Sequence, residues 1–333
     1  MNWALIGAST IAAEYMTDAM RALPGGVIQR VMSGSPERAA EFAARHQIPA
    51  WGTDLEAALA DPKVDAVYIS TTNEKHFPQA MAAIAAGKHV LCEKPIGMTL
   101  DEACEMVRVA EHKGVVFATN HHLRCAGSHR AIRALVAQGR IGRVLSMRVH
   151  HAVYLPPHLQ GWRLNDPAAG GGVIPDITVH DADTVRFHLG EDPVEVVAQM
   201  TESGLGQGVE DSCMSVWSMP SGTQVFAHDS FTHRFAGSGL EIHGTEGSIF
   251  GRGIMTQKPV GEIELVTATG RERVPYPNYD LYTQGIMDFS AAVAGKGRPA
   301  ADGIDGIKSL ALALAVRESA RTGRKLLVDY GGV

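Results

Sequence analysis

Two short segments carry the residue types that could do chemistry: Glu93-Lys94-Pro95 and Asp176-Ile177-Thr178-Val179-His180. The first follows the apolar run His89-Val90-Leu91-Cys92, which reads as a buried parallel strand. It therefore places Lys94 at a strand's carboxyl end, where open α/β sheets bind ligands. The second places a carboxylate and an imidazole on one face if the segment is helical. The ammonium of Lys94 would hydrogen-bond a substrate hydroxyl or carbonyl. His180 would give a proton to a developing alkoxide, and Asp176 would orient either the polyol or the imidazole. This set suits hydride transfer to a ketone. Pro95 fixes the backbone after Lys94, and the sequence leaves the isomer of that peptide open.

Hydride transfer needs a nicotinamide, and the start of the chain has a place for one. Trp3-Ala4-Leu5-Ile6 is an apolar strand, Gly7-Ala8-Ser9-Thr10-Ile11-Ala12 follows, and a helical pattern runs on through Met16 and Met20. A dinucleotide fingerprint wants three glycines here. Gly7 keeps the tight turn, Ser9 is small enough for a pyrophosphate to approach and has a hydroxyl to donate, and Ala12 fills the packing position. At the end of the next strand, where NAD binders place an acid, the chain has Met32-Ser33-Gly34-Ser35-Pro36-Glu37-Arg38. Neutral serines, an arginine and a helix N-terminus suit a 2′-phosphate, so NADP(H) is the expected cofactor. Glu37 lies one residue past the turn. Ser70-Thr71-Thr72-Asn73-Glu74-Lys75-His76 closes a third strand with small polar residues for the pyrophosphate and nicotinamide ribose, His76 reading as a helix cap or ribose contact.

These residues need a frame, and the pattern of elements gives it. Strands are expected at Trp3–Ile6, Val27–Met32, Val64–Ser70, His89–Cys92 and Val115–Ala118, with helices between them, so the first domain, 1–121, should be a Rossmann-type doubly wound parallel sheet. Beyond Asn120 strands dominate: Val144–His151, Val194–Met200, Ser212–Ser218, Gln224–Phe231, Gly239–His243 and Ser248–Phe250. Several are joined by short turns, which favours an open, largely antiparallel sheet in an α+β substrate-binding domain, 122–333. Helices at Asp176–Leu189 and Leu281–Ala294 should cover one face. The last helix, Asp305–Thr322, is expected to pack back on the first domain.

Composition excludes several classes. The chain has 333 residues, 45% hydrophobic and 20% charged, with a net charge of −6, which gives no reason to expect nucleic acid or an anionic membrane as partner. No apolar run approaches the roughly 18 residues of a membrane span. Met1 leads straight into a strand without a basic n-region or cleavage site, so no secretory leader is expected. Cys92, Cys104, Cys125 and Cys213 have no paired spacing; reduced thiols in a cytoplasm are the simplest account. The 15 histidines have no metal-ligand spacing, and no metal site is expected.

Gly7–Ala12, Ser70–Asn73, Cys92-Glu93-Lys94-Pro95, Thr119-Asn120-His121 and Asp176–Asp181 occur in one order over essentially the whole chain. In this the chain resembles the glucose–fructose oxidoreductase and inositol dehydrogenase family. The segment His151–Arg163, with Ser33 and Arg38, narrows the resemblance to members that reduce a sugar ketone with NADPH. That implies conversion of 1,5-anhydro-D-fructose to 1,5-anhydro-D-mannitol. The resemblance also implies that Ser9, Thr10, Ile11, Ala12, Ser33, Gly34 and Arg38 line the cofactor. With them would come Thr71, Thr72, Asn73, Glu74, His76, Glu93, Lys94 and Asn120, and farther on Trp162, Arg163 and Tyr282. Ser9 and Ala12 depart from the wider family's glycines, which speaks against tight NAD binding. The alternatives are an NAD(P)-dependent dehydrogenase of another sugar or inositol, and a nucleotide-sensing protein without turnover. Whether the chain is a monomer or a homo-oligomer stays open.

Overall fold

Trp3, Ala4, Leu5 and Ile6 are at most 1% exposed, so β1 (Asn2–Ile6) is covered on both faces, as a central strand of a parallel sheet must be. The structure, a computed structural model, describes residues Met1–Val333. β1 pairs with β2 (Val27–Met32) and with β4 (Ala66–Ile69). β3 (Ala50–Gly52) extends one side, and β5 (His89–Cys92) and β6 (Phe117–Thr119) the other. All pairs are parallel and the order is β3-β2-β1-β4-β5-β6, the doubly wound dinucleotide-binding order. The helices between are α1 (Thr17–Ala22), α2 (Pro36–Arg45), α3 (Leu55–Leu59), α4 (His76–Ala85) and α5 (Leu100–Lys113). Local chemistry sets their ends. Ser35 caps α2 by accepting from the Arg38 amide, and Thr99 and Glu102 form a reciprocal capping box on α5.

The second unit is built on one large sheet. α6 (Gly127–Ala137), β7 (Val144–Ala152), α7 (Gly161–Asn165) and α8 (Val179–Leu189) come first. β8 (Glu195–Thr201), β9 (Ser212–Ser218), β10 (Gln224–Ser230), β11 (Ser238–Gly244), β12 (Gly247–Arg252), β13 (Glu262–Thr267) and β14 (Gly270–Arg273) follow. With β15 (Leu326–Leu327) the order is β14-β13-β12-β11-β7-β10-β9-β8-β15. Every pair is antiparallel except β10 with β7. One face is a core of Met147, Val149, Trp217, Val225, Leu240 and Ile242, together with Val179, Ala182 and Val185 of α8. The β8–β9 loop is folded onto one side chain: Asp211 accepts from the amides of Ser203, Gly204, Leu205 and Gly206. Burial pushes that carboxyl's pKa up, but these donors outweigh it and the net shift is down.

The chain divides into Met1–His122 with Tyr282–Ile307, and Leu123–Leu281 with Lys308–Val333. α9 (Leu281–Val293) thus returns almost entirely to the first unit, where Phe289 lies 5.3 Å from Trp3, ring to ring. α10 (Gly303–Thr322) is shared. Its first turn lies against β6, where a Cβ on Gly306 would stand 2.2 Å from the Thr119 hydroxyl. Beyond Ile307 it belongs to the second unit. Leu312, Ala313 and Val316 enter that core, and the Ser319 hydroxyl accepts from the Ala198 amide. The expectation that the last helix packs on the first domain is corrected: only its opening turn does. The apolar stripe of a helix says that it packs, not on what.

α8 has almost no exposed face, and its polar residues are answered inside. His129 of α6 and His188 of α8 stack, with His129 Nδ1 3.0 Å from His188 Nε2 and His129 Nε2 3.2 Å from the Ile254 carbonyl. A carbonyl only accepts, so His129 Nε2 carries the hydrogen, its Nδ1 is bare, and His188 Nε2 donates. A second proton on His129 would set two N–H groups against each other, and one on His188 Nδ1 would be a buried charge with no acceptor. Burial accordingly pushes His129 down to about 4, and burial with the neighbouring charges holds His188 well below the ordinary range. The unfolded chain takes up these protons near 6.5 and the folded protein refuses them. Stability should therefore fall as pH drops from about 6.5 to about 4, by roughly 3 kcal/mol from His129 alone. Urea unfolding across this range checks it. His129→Gln, whose amide does not titrate, should flatten the slope, and an unchanged slope would assign the acid sensitivity elsewhere.

Candidate active site

In the first unit the site is built around the turn after β1. Gly7 has φ +118°, and a Cβ there would lie 2.9 Å from the Ser70 carbonyl carbon and oxygen at the end of β4. Both backbone conformation and close approach demand glycine. The helical segment opens at Thr10, passes through a π turn at Ala12–Met16 and continues as α1. Ala12 is fully buried, Thr10 is exposed and Ile11 half-buried. A glycine turn leading into a helix N-terminus fits a dinucleotide pyrophosphate. The Ser9 hydroxyl is already committed, which corrects its expected role as a phosphate donor: it donates to Ser70 Oγ at 2.7 Å and accepts from the Ala12 amide. Ser9 closes the turn in place of a glycine by tying it to β4.

At the end of β2, Ser33 is buried, Gly34 is exposed, and Arg38 stands exposed in the first turn of α2. The Glu37 carboxylate accepts from Ser35 Oγ at 2.7 Å, so the one nearby acid serves the helix cap. After β4, Thr71 Oγ1 donates to Gln79 and Thr72 Oγ1 to Glu74, while Asn73 is buried. His76 is neither a cap nor exposed for a ribose. It is 1% exposed, with Nδ1 2.7 Å from the Pro95 carbonyl and Nε2 3.2 Å from that of Thr71. Burial holds its pKa down, and a neutral ring donates to one of the two oxygens. His76 therefore ties the start of α4 to the residue after Lys94.

Lys94 leaves the end of β5, and the Lys94–Pro95 peptide is cis. Beside it Glu93 Oε1 accepts from Tyr68 at 2.5 Å and from the Asn120 side-chain amide at 2.6 Å. Burial raises the proton affinity of that carboxyl against the pull of both donors. Tyr282 is 2% exposed, its ring stacked on Tyr15 at 4.8 Å and on His122 at 5.2 Å.

In the second unit Asp176 and His180 straddle the junction between a π turn, Ile174–Thr178, and α8. Such turns are rare and recur at functional sites. Asp176 Oδ2 lies 3.4 Å from Arg163 Nε, and the Arg163 guanidinium lies over the Trp162 ring at 4.6 Å. Trp162, Arg163, Asp176 and His180 thus belong to one region of this unit. Beneath His180 lies a group that sequence reading missed. The His151 ring is 6.3 Å from that of His180, and its Nδ1 is 3.5 Å from Asp181 Oδ1. Asp181 faces Asp229 of β10, both fully buried, and the Thr178 hydroxyl donates to Asp229.

Two family models match the chain: "Oxidoreductase family, NAD-binding Rossmann fold" over residues 1–121 and "GFO/IDH/MocA C-terminal domain" over 129–250. The chain belongs to this family of oxidoreductases. Among curated relatives it is 54% identical over 331 residues to 1,5-anhydro-D-fructose reductase of Ensifer adhaerens, covering 99% of each chain. Among solved structures it matches aldose-aldose oxidoreductase from Caulobacter crescentus with a TM-score of 0.91 at 22% identity, over 98% of this chain and 99% of that one. It matches levoglucosan dehydrogenase in complex with NADH and levoglucosan with a TM-score of 0.88 at 24% identity, over 98% and 99%. At those identities the likeness is one of fold.

Proposed function

We propose that the protein reduces 1,5-anhydro-D-fructose to 1,5-anhydro-D-mannitol with NADPH. The observation that carries the reading is the end-to-end identity of 54% with the Ensifer adhaerens reductase, in a chain that has a lysine just past β5, an aspartate in the π turn before α8 and a histidine in the first turn of α8. Gly7, Ala12 and the helix opening at Thr10 would hold the pyrophosphate, and Ser33, Gly34 and Arg38 the 2′-phosphate. The stretch from Thr71 to Glu74, with Asn120, would serve the nicotinamide half. Bound there, the cofactor supplies a hydride. Lys94 hydrogen-bonds the ketone oxygen and stabilises negative charge as it develops. His180 gives that oxygen its proton. Asp176, with Arg163 against it, orients the sugar hydroxyls. Glu93, in its bonds to Tyr68 and Asn120, fixes the backbone from which Lys94 departs.

The test is consumption of NADPH by the pure protein on addition of 1,5-anhydro-D-fructose, with NADH, and with inositol plus NAD+ or NADP+, as comparisons. Oxidation of inositol without reduction of the anhydro sugar would replace this reading with that of a polyol dehydrogenase. Cofactor choice has its own test. Arg38→Ala should weaken NADPH by roughly one to two decades and leave NADH nearly unchanged, since one charged hydrogen-bond partner is worth about 1.5–3 kcal/mol. The measurement is kcat/KM with each cofactor. An equal loss with both would make Arg38 a structural residue of α2.

A further inference from the structure

Resting on the role proposed for His180, we propose that Asp181 and Asp229 act as a positioning pair, sharing a proton behind the active site and holding the His151 imidazole beside His180. Three observations carry this. Both carboxyls are completely buried, yet Asp181 Oδ1 and Oδ2 and Asp229 Oδ1 meet no N–H or hydroxyl donor. Were both ionised, three charged oxygens would lie in the core without a hydrogen bond, beside a second like charge. That arrangement is too costly to persist. A proton on Asp229 removes the difficulty, because its O–H then donates to Asp181, and Thr178 satisfies the remaining oxygen of Asp229. The Asp181 carboxyl faces His151 Nδ1 at 3.5 Å, so the pair meets an imidazole. That imidazole lies 6.3 Å from the ring of His180.

The charges around the pair come from every neighbouring element. His151 stands on β7, Cys213 on β9 and Asp229 on β10, and His180 and Asp183 share α8 with Asp181. Glu210 precedes β9 and acts on Cys213 together with Asp229, while His129 of α6 and His150 of β7 feel His151. Burial pushes Asp181 up to about 7, and burial with the Asp181 charge holds Asp229 well above the carboxylate range. Asp229 therefore keeps its proton while Asp181 changes charge near neutrality. Above that point a single buried negative charge favours a proton on His151, and the resulting ion pair holds that ring as a cation beside His180.

The experiment follows the His151 ring by NMR, its Cε1 proton assigned with His151→Gln, across a pH titration of the full-length protein. Asp181→Asn should lower the ring's midpoint by about one unit, since an opposite charge within about 4–6 Å is removed. Asp229→Asn should restore a normal midpoint, because its amide still donates to Asp181 and leaves that group its charge. If Asp181→Asn fails to fold, His151→Gln, which removes a cation from beside His180, should move the alkaline limb of kcat to higher pH. An unmoved His151 midpoint in Asp181→Asn, or an unmoved limb in His151→Gln, overturns the proposal. A merely structural pair would change the melting temperature and neither pH reading. The ring titration needs no substrate, so it decides the coupling even if no sugar ketone were reduced, a result that would instead overturn the proposed function.

Discussion

Lys94→Ala and His180→Ala are each expected to lower kcat by about 10²- to 10⁴-fold while leaving NADPH affinity within a few-fold of the wild type. General acid catalysis by one positioned side chain is typically worth about 10²- to 10⁴-fold, and one preorganised donor at a developing oxyanion about 10²- to 10³-fold. Neither residue is proposed to hold the phosphates, a role proposed instead for the Gly7 turn and for Ser33 and Arg38. Steady-state rates with 1,5-anhydro-D-fructose and a fluorescence titration of NADPH separate the two quantities. The two variants should differ in their pH response. His180→Ala removes the proposed proton donor, so the slow residual rate should lose the alkaline limb that donor imposes, whereas Lys94→Ala should keep it. Turnover near that of the wild type in both would end the assignment of either residue to chemistry. A loss confined to KM would make Lys94 a binding group only.

The position of Lys94 was legible because two local signals coincide there. An uninterrupted apolar run from His89 to Cys92 has few alternatives to a buried parallel strand, and the polar Glu93-Lys94-Pro95 that follows marks its end. The same logic placed the Gly7 turn and the helix that carries His180. What surrounds these residues was not legible, because it comes from elsewhere in the chain. Nothing near Asp176 announces Arg163, which reaches it from a separate five-residue helix. Asp229 lies 48 residues beyond Asp181 on a strand whose alternation reads only as inward and outward. An inward acid in β10 directly opposite Cys213 of β9 and His151 of β7 was the one available signal, and it needs the register to be seen. Weak local patterns failed too. β3 has three residues and β15 two, too few to show a period. The return of Tyr282 to the first unit rests on packing of its ring with Tyr15 and His122.

The helix that carries His180 is held by a buried ion pair, and breaking it should be the most damaging single change to stability. Arg124 donates to both oxygens of Asp183, Nε to Oδ2 at 2.8 Å and Nη2 to Oδ1 at 2.6 Å. The two side chains are 8% and 2% exposed. Arg186, one turn on, lies 3.7 Å from the same carboxylate and is itself bound to Asp192 at 2.6 Å. Asp183→Ala would leave the Arg124 guanidinium charged in the core without this bidentate carboxylate, at a cost of about 3–5 kcal/mol. For a unit of this size that is a fall in melting temperature of roughly 6–20 °C, read by calorimetry. The cost is that of a stranded charge rather than of a lost attraction, and this has a separate consequence. The double variant Arg124→Met with Asp183→Leu removes both charges and keeps apolar volume, so it should recover most of the stability lost in Asp183→Ala. If the double variant were as unstable as the single one, the pair would be fixing the geometry of α8 itself. Its kcat, measured well below the melting temperature, would then fall with the stability, because His180 departs from the first turn of that helix.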